Sequence, residues 1–393
     1  MSNYNISVVF ISNFINHHQA PLADEFYSVI GNNYKFIVNE SIPASFVKTG
    51  YPDFSDRPYL IKAYENDKQL AKAKKIANEA DVVIIGSAPD FFITERLKQN
   101  KLTFRYSERW IKNVDYHLFS PRLIFKRLYY NTRYRNKNFY MLCASAYTCN
   151  DVSLYGAFPN KCYKWGYFTK VKTLEISKLL LKMREFEKIK ILWCGRMLSC
   201  KRPEFAVLLG KHLRDQGYIN FEINIIGEGE QFNKVKTMIK ENNLFSYVHL
   251  SKFIPNEEVL KKMQESHIFL FTSNRQEGWG AVLNESMSNG CAVVASNEIG
   301  SVPFLIEDGK TGLIFNSKDI NSLFNKVKKL IDNKSLREYI SKNAYEQMKN
   351  MWSPKNAASN FLLLSKSLLN NEKIEISHGP CSKANKIKSK YIL

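Results

Sequence analysis

The sequence predicts an α/β protein of two domains, each built from stacked βα units, and three observations lead there. Short apolar runs alternate with longer amphipathic stretches along the chain, the pattern that builds parallel sheets covered by helices. The 393 residues are more than one hydrophobic core usually serves, so about two domains are expected. A charged segment at 168–189, with Lys170, Lys172, Glu175, Lys178, Lys182, Arg184, Glu185 and Glu187, precedes a fresh strand and marks the junction.

Taken in order, the first half reads as strands at 6–12, 35–38, 82–86, 103–106 and 139–144, with a helix over 66–80 feeding the third. The second half reads as strands at 189–194, 221–227, 247–250, 268–271, 291–295 and 312–315, with helices between them. Trp352-Ser353-Pro354 breaks the chain before a last apolar helix at 357–369, and the tail from Asn371 is polar, basic and loosely ordered. The expected division is 1–168, 169–352, a helix within 353–370 and a basic tail over 371–393.

With 45% hydrophobic residues there is material for a core in each domain. No apolar run approaches the roughly 18–20 residues that span a bilayer. Met-Ser-Asn-Tyr-Asn-Ile-Ser-Val-Val-Phe lacks a basic start and reads as a first strand, not a signal peptide. The seven cysteines are odd in number and form no CxxC pair, so they read as reduced core thiols of a cytosolic protein.

The charge is distinctive: 57 basic against 37 acidic residues, a net of +20. Between 101 and 140 there are ten Lys/Arg against Glu108 and Asp115, interleaved with Trp110, Tyr116, Phe119, Phe125, Tyr129, Tyr130 and Tyr134. Cations attract anionic lipid, and amphipathic aromatics favour the headgroup layer. A solvated basic face is the alternative. Nucleic acid is the other partner of such a patch, but no DNA- or RNA-binding motif accompanies it.

The most informative segment runs from Gln276 to Phe315. Glu277 and Glu285 stand with seven residues between them, across the turn Gly278-Trp279-Gly280-Ala281-Val282 and after an apolar run at 268–271. In a strand–turn–helix this places Glu277 in the turn and Glu285 about one and a half to two turns into the helix. The helix start between them suits a phosphate. Carboxylates only accept hydrogen bonds, so they suit sugar hydroxyls. A diphosphate with a sugar at each end fits. Upstream, Arg196 and Lys201 follow a strand and Gly195, where fixed cations stabilise a diphosphate that gains charge as its bond to a sugar breaks.

Four ordered elements carry a family resemblance. They are Glu277-x7-Glu285, Cys194-Gly195-Arg196-Met197-Leu198 with Lys201, Ile226-Gly227-Glu228-Gly229, and Ile299-Gly300-Ser301-Val302-Pro303 with Asp308-Gly309-Lys310-Thr311-Gly312. Together they resemble the retaining GT-B-fold glycosyltransferases of glycosyltransferase family 4, of the bacterial surface-polysaccharide type, well over 190–345 and loosely before that. The resemblance implies two Rossmann-like domains facing a cleft, with the C-terminal helix crossing back to the first. It implies transfer of a sugar from a nucleotide diphosphate sugar, UDP-linked, to an acceptor hydroxyl with retention of configuration. Arg196, Lys201 and Glu277 would carry the chemistry. Glu285 would accept from the ribose, and Gly195, Gly227, Gly278, Trp279, Gly280, Ala281 and Val282 would line the donor. Trp279 stands where many relatives carry Phe, and would either narrow the donor site or serve as a core aromatic. Phe253 and Ile254 would offer backbone to the base, although Lys252 replaces the expected glycine.

In the first half, Asn13, Asn16, His17 and His18 follow the first strand and are acceptor-side candidates, in a loop that lacks the glycines of many relatives. Glu108 ends another strand at the same edge, to bind acceptor or to pair with Arg105 or Arg109. No Asp-x-Asp occurs, so no metal is expected and charge neutralisation falls to Arg196 and Lys201. No further cofactor is expected. With no carboxylate nucleophile evident, same-face attack assisted by the leaving phosphate is the expected route. The basic aromatic stretch points to a lipid-linked acceptor in surface polysaccharide or glycolipid assembly, at the inner face of the cell membrane. A dehydrogenase would need Gly-x-Gly-x-x-Gly after the first strand, and 12–19 has none. A basic nucleic-acid binder leaves Glu277 and Glu285 unexplained.

Overall fold

The computed structural model describes residues 5–43, 53–113, 116, 119–184 and 187–387. Glu185 of the charged junction, Asp115 of the basic stretch and 388–393 of the tail lie outside the described residues. The chain forms two compact units, 1–170 with 351–393, and 171–350.

The first unit holds a seven-stranded parallel sheet: β1 (Val8–Ser12), β2 (Tyr34–Val38), β3 (Leu60–Lys62), β4 (Val82–Ile85), β5 (Thr103–Ser107), β6 (Phe139–Cys143) and β7 (Cys162–Lys164), in the order β3-β2-β1-β4-β5-β6-β7. The middle strands are apolar on both faces because helices cover both sides; Val82–Ile85 is buried throughout. β3 and β7 were not expected from the sequence. They are three residues long and lie at the two sheet edges, where no sustained apolar pattern is needed. The helix at Asp67–Glu79 starts on Asn66, whose side chain accepts from the Gln69 amide.

Helix α1 (Ala20–Ile30) follows β1, and α2 (Pro121–Tyr130) lies between β5 and β6. The final helix described below returns to this unit: Phe361 packs edge-on against Phe26 and Phe104, beside Trp165. The tail is not loose over its described length. Residues 381–384 run antiparallel beside β7, where the Lys164 amide donates to the Ser382 carbonyl and the Ala384 amide to Cys162. They cover an edge that would otherwise expose backbone groups.

The second unit holds a six-stranded parallel sheet: β8 (Ile189–Cys194), β9 (Phe221–Ile226), β10 (Val248–Ser251), β11 (Ile268–Phe271), β12 (Ala292–Ser296) and β13 (Leu313–Phe315), in the order β10-β9-β8-β11-β12-β13. Helix α3 (Val282–Ser288) joins β11 to β12, and α4 (Pro354–Leu369), capped by the Ser353 hydroxyl at the Asn356 amide, follows the unit. Each sheet reverses its winding between two adjacent strands: β1 and β4 in the first, β8 and β11 in the second. Open α/β sheets bind ligands outside the carboxyl ends of such strands.

Candidate active site

In the second unit, the loops after β8 and β11 meet at the switch point, and a chain of hydrogen bonds shows why. The Trp193 indole donates to the buried Thr272 hydroxyl at 2.9 Å. Thr272 in turn donates to the carbonyls of Lys201 and Arg202 at 2.7 and 3.0 Å. The Asn274 amide adds a bond to Cys200 at 2.9 Å. The 199–202 turn is thereby fixed beside the loop that carries Glu277, and Lys201 forms an ion pair with the Glu277 carboxylate. Ser273 donates to the same carboxylate at 3.0 Å. Two motif segments far apart in sequence therefore share one charge cluster.

Gly227 earns its place by close approach. Its φ is +147°, and a Cβ there would stand 1.9 Å from the Gly195 carbonyl oxygen. The Gly195 amide donates to Ile226 and the Met197 amide to Glu228, so the turns after β8 and β9 touch through backbone. Gly227 thus acts as a spacer for the Arg196 loop. Arg196 is exposed, and among the described residues its side chain makes no ion pair or hydrogen bond.

Glu285 sits in the first turn of α3, earlier in the helix than the spacing predicts, because the turn after Glu277 stays non-helical up to Ala281. Burial lifts its carboxyl to about 7. The Cys194 thiol is pushed up by burial and then by the nearby Glu285 charge, which puts the end of β8 beside Glu285. Trp279 is a core aromatic: it is fully buried, and its indole donates to the buried Asn284 side chain at 2.8 Å. The segment at 299–301 holds the same turn from the other side, as the Ser301 hydroxyl donates to the Trp279 carbonyl at 2.6 Å and the Gly300 amide to Glu277 at 3.3 Å. Gly280, at φ +78°, would place a Cβ 2.2 Å from the Phe271 ring. Gly278, Ala281 and Val282 belong to this turn and helix start. Phe253 and Ile254 follow β10 at the sheet edge, with Phe253 exposed and Lys252 paired with Glu228.

In the first unit, a cleft of about 590 Å³ opens at the carboxyl ends of β1, β4 and β5. Asn13, Asn16, His18 and Glu108 line it, as expected; the His17 ring lies tilted against His18 with ring centroids 3.7 Å apart but is not among the lining residues. Burial pulls His17 down to about 4, and burial with His17's charge pulls His18 to about 3, so both rings are neutral at pH 7. Asn16 is spent on the turn, its side chain accepting from the His18 amide at 2.9 Å. Glu108 pairs with neither Arg105 nor Arg109. Its carboxylate holds Lys112 and accepts from the Tyr167 hydroxyl at 2.6 Å, while Arg105 pairs with Asp90 and Arg109 with the buried Asp151. Asp90, Arg105, Lys112, Lys126 and Tyr167 also line it; the sequence had placed Arg105, Lys112 and Lys126 in the basic stretch and had given none of the five a role in the site. The available signal was the loop after the 82–86 strand, which faces the β1 loop once β1 and β4 are adjacent.

Residues 182–347 match the family model described as glycosyl transferases group 1, so the second unit carries a group 1 glycosyltransferase domain. The amylovoran biosynthesis glycosyltransferase AmsK of Erwinia amylovora is 32% identical over 157 residues, 38% of this chain and 38% of its own. The capsular polysaccharide biosynthesis glycosyltransferase CapM of Staphylococcus aureus is 26% identical over 168 residues, 41% of each chain. The chain thus spans well under half the length of these curated relatives. Among solved structures, Anabaena HepE in complex with UDP is similar with a TM-score of 0.67 at 14% identity, covering 93% of this chain and 100% of that one. TarM gives 0.65 at 13%, over 93% and 99%. The fold is that of the GT-B glycosyltransferases.

Proposed function

We propose that the protein transfers a sugar from a nucleotide diphosphate sugar, UDP-linked, to an acceptor hydroxyl with retention of configuration. The observation that carries this reading is the Lys201–Glu277 pair with Glu285 and Arg196 around the β8/β11 switch point. Arg196 projects to solvent as a planar fork suited to the diphosphate. A phosphate competes with Glu277 for Lys201, and the carboxylate that Lys201 releases accepts from the hydroxyls of the transferred sugar. As the sugar–phosphate bond breaks, charge grows on the leaving phosphate, so Arg196 and Lys201 stabilise the transition state more than the bound donor. The leaving phosphate takes the acceptor proton on the same face. With no Asp-x-Asp in the chain, the two cations do this without a metal and no cofactor is involved.

The first unit supplies the acceptor side, through Asn13, His18 and Glu108 in its cleft. The acceptor is a lipid-linked glycan in surface polysaccharide or glycolipid assembly, and the protein works at the inner, cytoplasmic face of an anionic membrane. CapM is described as a capsular polysaccharide biosynthesis glycosyltransferase and AmsK as an amylovoran biosynthesis glycosyltransferase, which supports this reading. No helix among the described residues is long and apolar enough to cross a membrane.

A thermal-shift screen over nucleotide sugars tests the proposal, since a ligand that binds only the folded state raises the melting temperature. A UDP-sugar should raise it and be turned over in excess EDTA. Absence of any shift, with tight salt-sensitive oligonucleotide binding instead, would favour the nucleic-acid reading. Activity lost in EDTA and restored only by Mg²⁺ or Mn²⁺ would overturn the metal-free mechanism.

A further inference from the structure

Helix α2 has two opposite faces with different company. Leu123, Lys126, Arg127 and Tyr130, at positions i, i+3, i+4 and i+7, line the cleft of the first unit. Arg122, Phe125, Leu128 and Tyr129 fall on the other side of the helix and are exposed. Phe125 is 65% exposed, and Phe119, just before the helix, is 75% exposed. Large apolar side chains left in solvent this close together mark an interaction surface.

The charge around them has one sign. From 119 to 140 the chain contains Arg122, Lys126, Arg127, Arg133, Arg135 and Lys137 and no acid. The structure trims the basic stretch read from sequence. Arg127 is buried, donating to the Trp110 carbonyl at 2.6 Å and to the Tyr155 hydroxyl, and Arg105 and Arg109 are spent on Asp90 and Asp151. Arg122, Lys126, Arg133 and Arg135 remain exposed. The Arg133 guanidinium lies 3.8 Å from the centre of the Tyr129 ring, which leaves a cation and an aromatic side by side.

We propose that the outward face of α2, with Phe119, is the surface by which the protein lies on an anionic bilayer, and that its inward face presents the cleft to an acceptor held in that bilayer. Aromatic and aliphatic side chains enter the headgroup layer while flanking arginines meet anionic lipid. A helix is about 10–12 Å across, so a cleft wall would lie about that distance from the lipid surface. This deepens the proposed function and rests on it only for the identity of the acceptor; docking itself does not depend on transfer chemistry.

The test is co-sedimentation of the full chain with phosphatidylcholine vesicles, with and without phosphatidylglycerol. Wild type should bind the anionic vesicles, and added salt should weaken binding. Phe125→Ser with Leu128→Ser should reduce binding about tenfold or more, and Arg122→Gln with Arg133→Gln and Arg135→Gln by several-fold. Each variant should keep its UDP-sugar thermal shift, which confirms folding and leaves the donor site intact. A Phe125→Trp variant should show a blue-shifted emission on anionic vesicles alone. Equal binding to neutral and anionic vesicles, undiminished binding by the Ser variant, or an unshifted Trp emission would each overturn the proposal. If the Ser variant changes oligomeric state but not vesicle binding, the face is a protein interface and the proposal fails. A protein that docks but turns over no UDP-sugar would sink the proposed function and leave the docking surface standing.

Discussion

The two candidate regions are built in opposite ways. In the second unit, Glu277 and Glu285 lie on one strand–turn–helix, and their supports Thr272, Ser273, Asn284 and Ser301 are buried residues bonded to backbone, to the Glu277 carboxylate or to the Trp279 indole. In the first unit, the cleft draws its side chains from the loops after β1, β4 and β5, from α2 and from Tyr167, and holds them by ion pairs at its rim. A turn shaped by backbone and buried hydroxyls keeps the same geometry whatever surrounds it. A cleft assembled from distant side chains can change its lining without losing its sheet. The first arrangement suits a ligand common to a family, and the second suits a partner particular to one protein.

That contrast can be broken most decisively at the Glu277-to-Glu285 turn. Arg196→Ala and Glu285→Ala should each reduce transfer more than tenfold, as fixed charge and hydroxyl contacts are lost from the transition state, with circular dichroism unchanged. Wild-type rates in both purified variants would remove the second unit from the chemistry. Next in size is the buried Trp279–Asn284 bond. Asn284→Leu removes this bond to the indole and should cost about 1–3 kcal/mol in denaturant unfolding, while Trp279→Phe with Asn284→Leu should regain most of it. Additive losses in the double variant would mean the bond does not hold the turn.

Glu285 gives a pH test of similar size. Its folded value is raised from 4.5 to about 7, so the folded state binds the extra proton between those values. Stability should therefore fall as pH rises from 4.5 to about 7 and level off above. Glu285→Gln should be more stable than wild type above that window, by on the order of 2 kcal/mol, yet bind UDP-sugar more weakly. No gain in melting temperature would show that the carboxyl is not desolvated as the fold implies. The smallest effect is expected in the first unit. Asp90→Asn frees Arg105 at the cleft and should alter acceptor KM several-fold while the UDP-sugar dissociation constant stays put. A matching change in donor affinity would show that the two regions are not separable in the way their construction implies.

Reading the fold from sequence worked where burial imposed a pattern. The strands at Val82–Ile85 and Ile268–Phe271 are apolar on both faces because both faces are covered, so their positions show in any window. It missed Leu60–Lys62 and Cys162–Lys164, which pair at the edges and need only three residues each. The last helix starts at Pro354, three residues before the 357 read from sequence, because Ser353 caps it through a local bond to the Asn356 amide. The packing of 381–384 along β7 could not be read, because it joins groups more than two hundred residues apart, chiefly through backbone bonds that carry no side-chain signal.

The sequence by itself determined the α/β class, the positions of the main strands along the chain and the Glu277-to-Glu285 turn, since these rest on periodicity and on residues adjacent along the chain. Only the tertiary structure decided that Lys201 faces Glu277, that Glu108 holds Lys112 and Tyr167, that Arg127 turns inward, and that Trp279 belongs to the core. A charged or aromatic side chain carries no local mark of its partner. Which opposite charge lies within about 4 Å is set by strand order and loop contact, and those exist only once the sheets have formed.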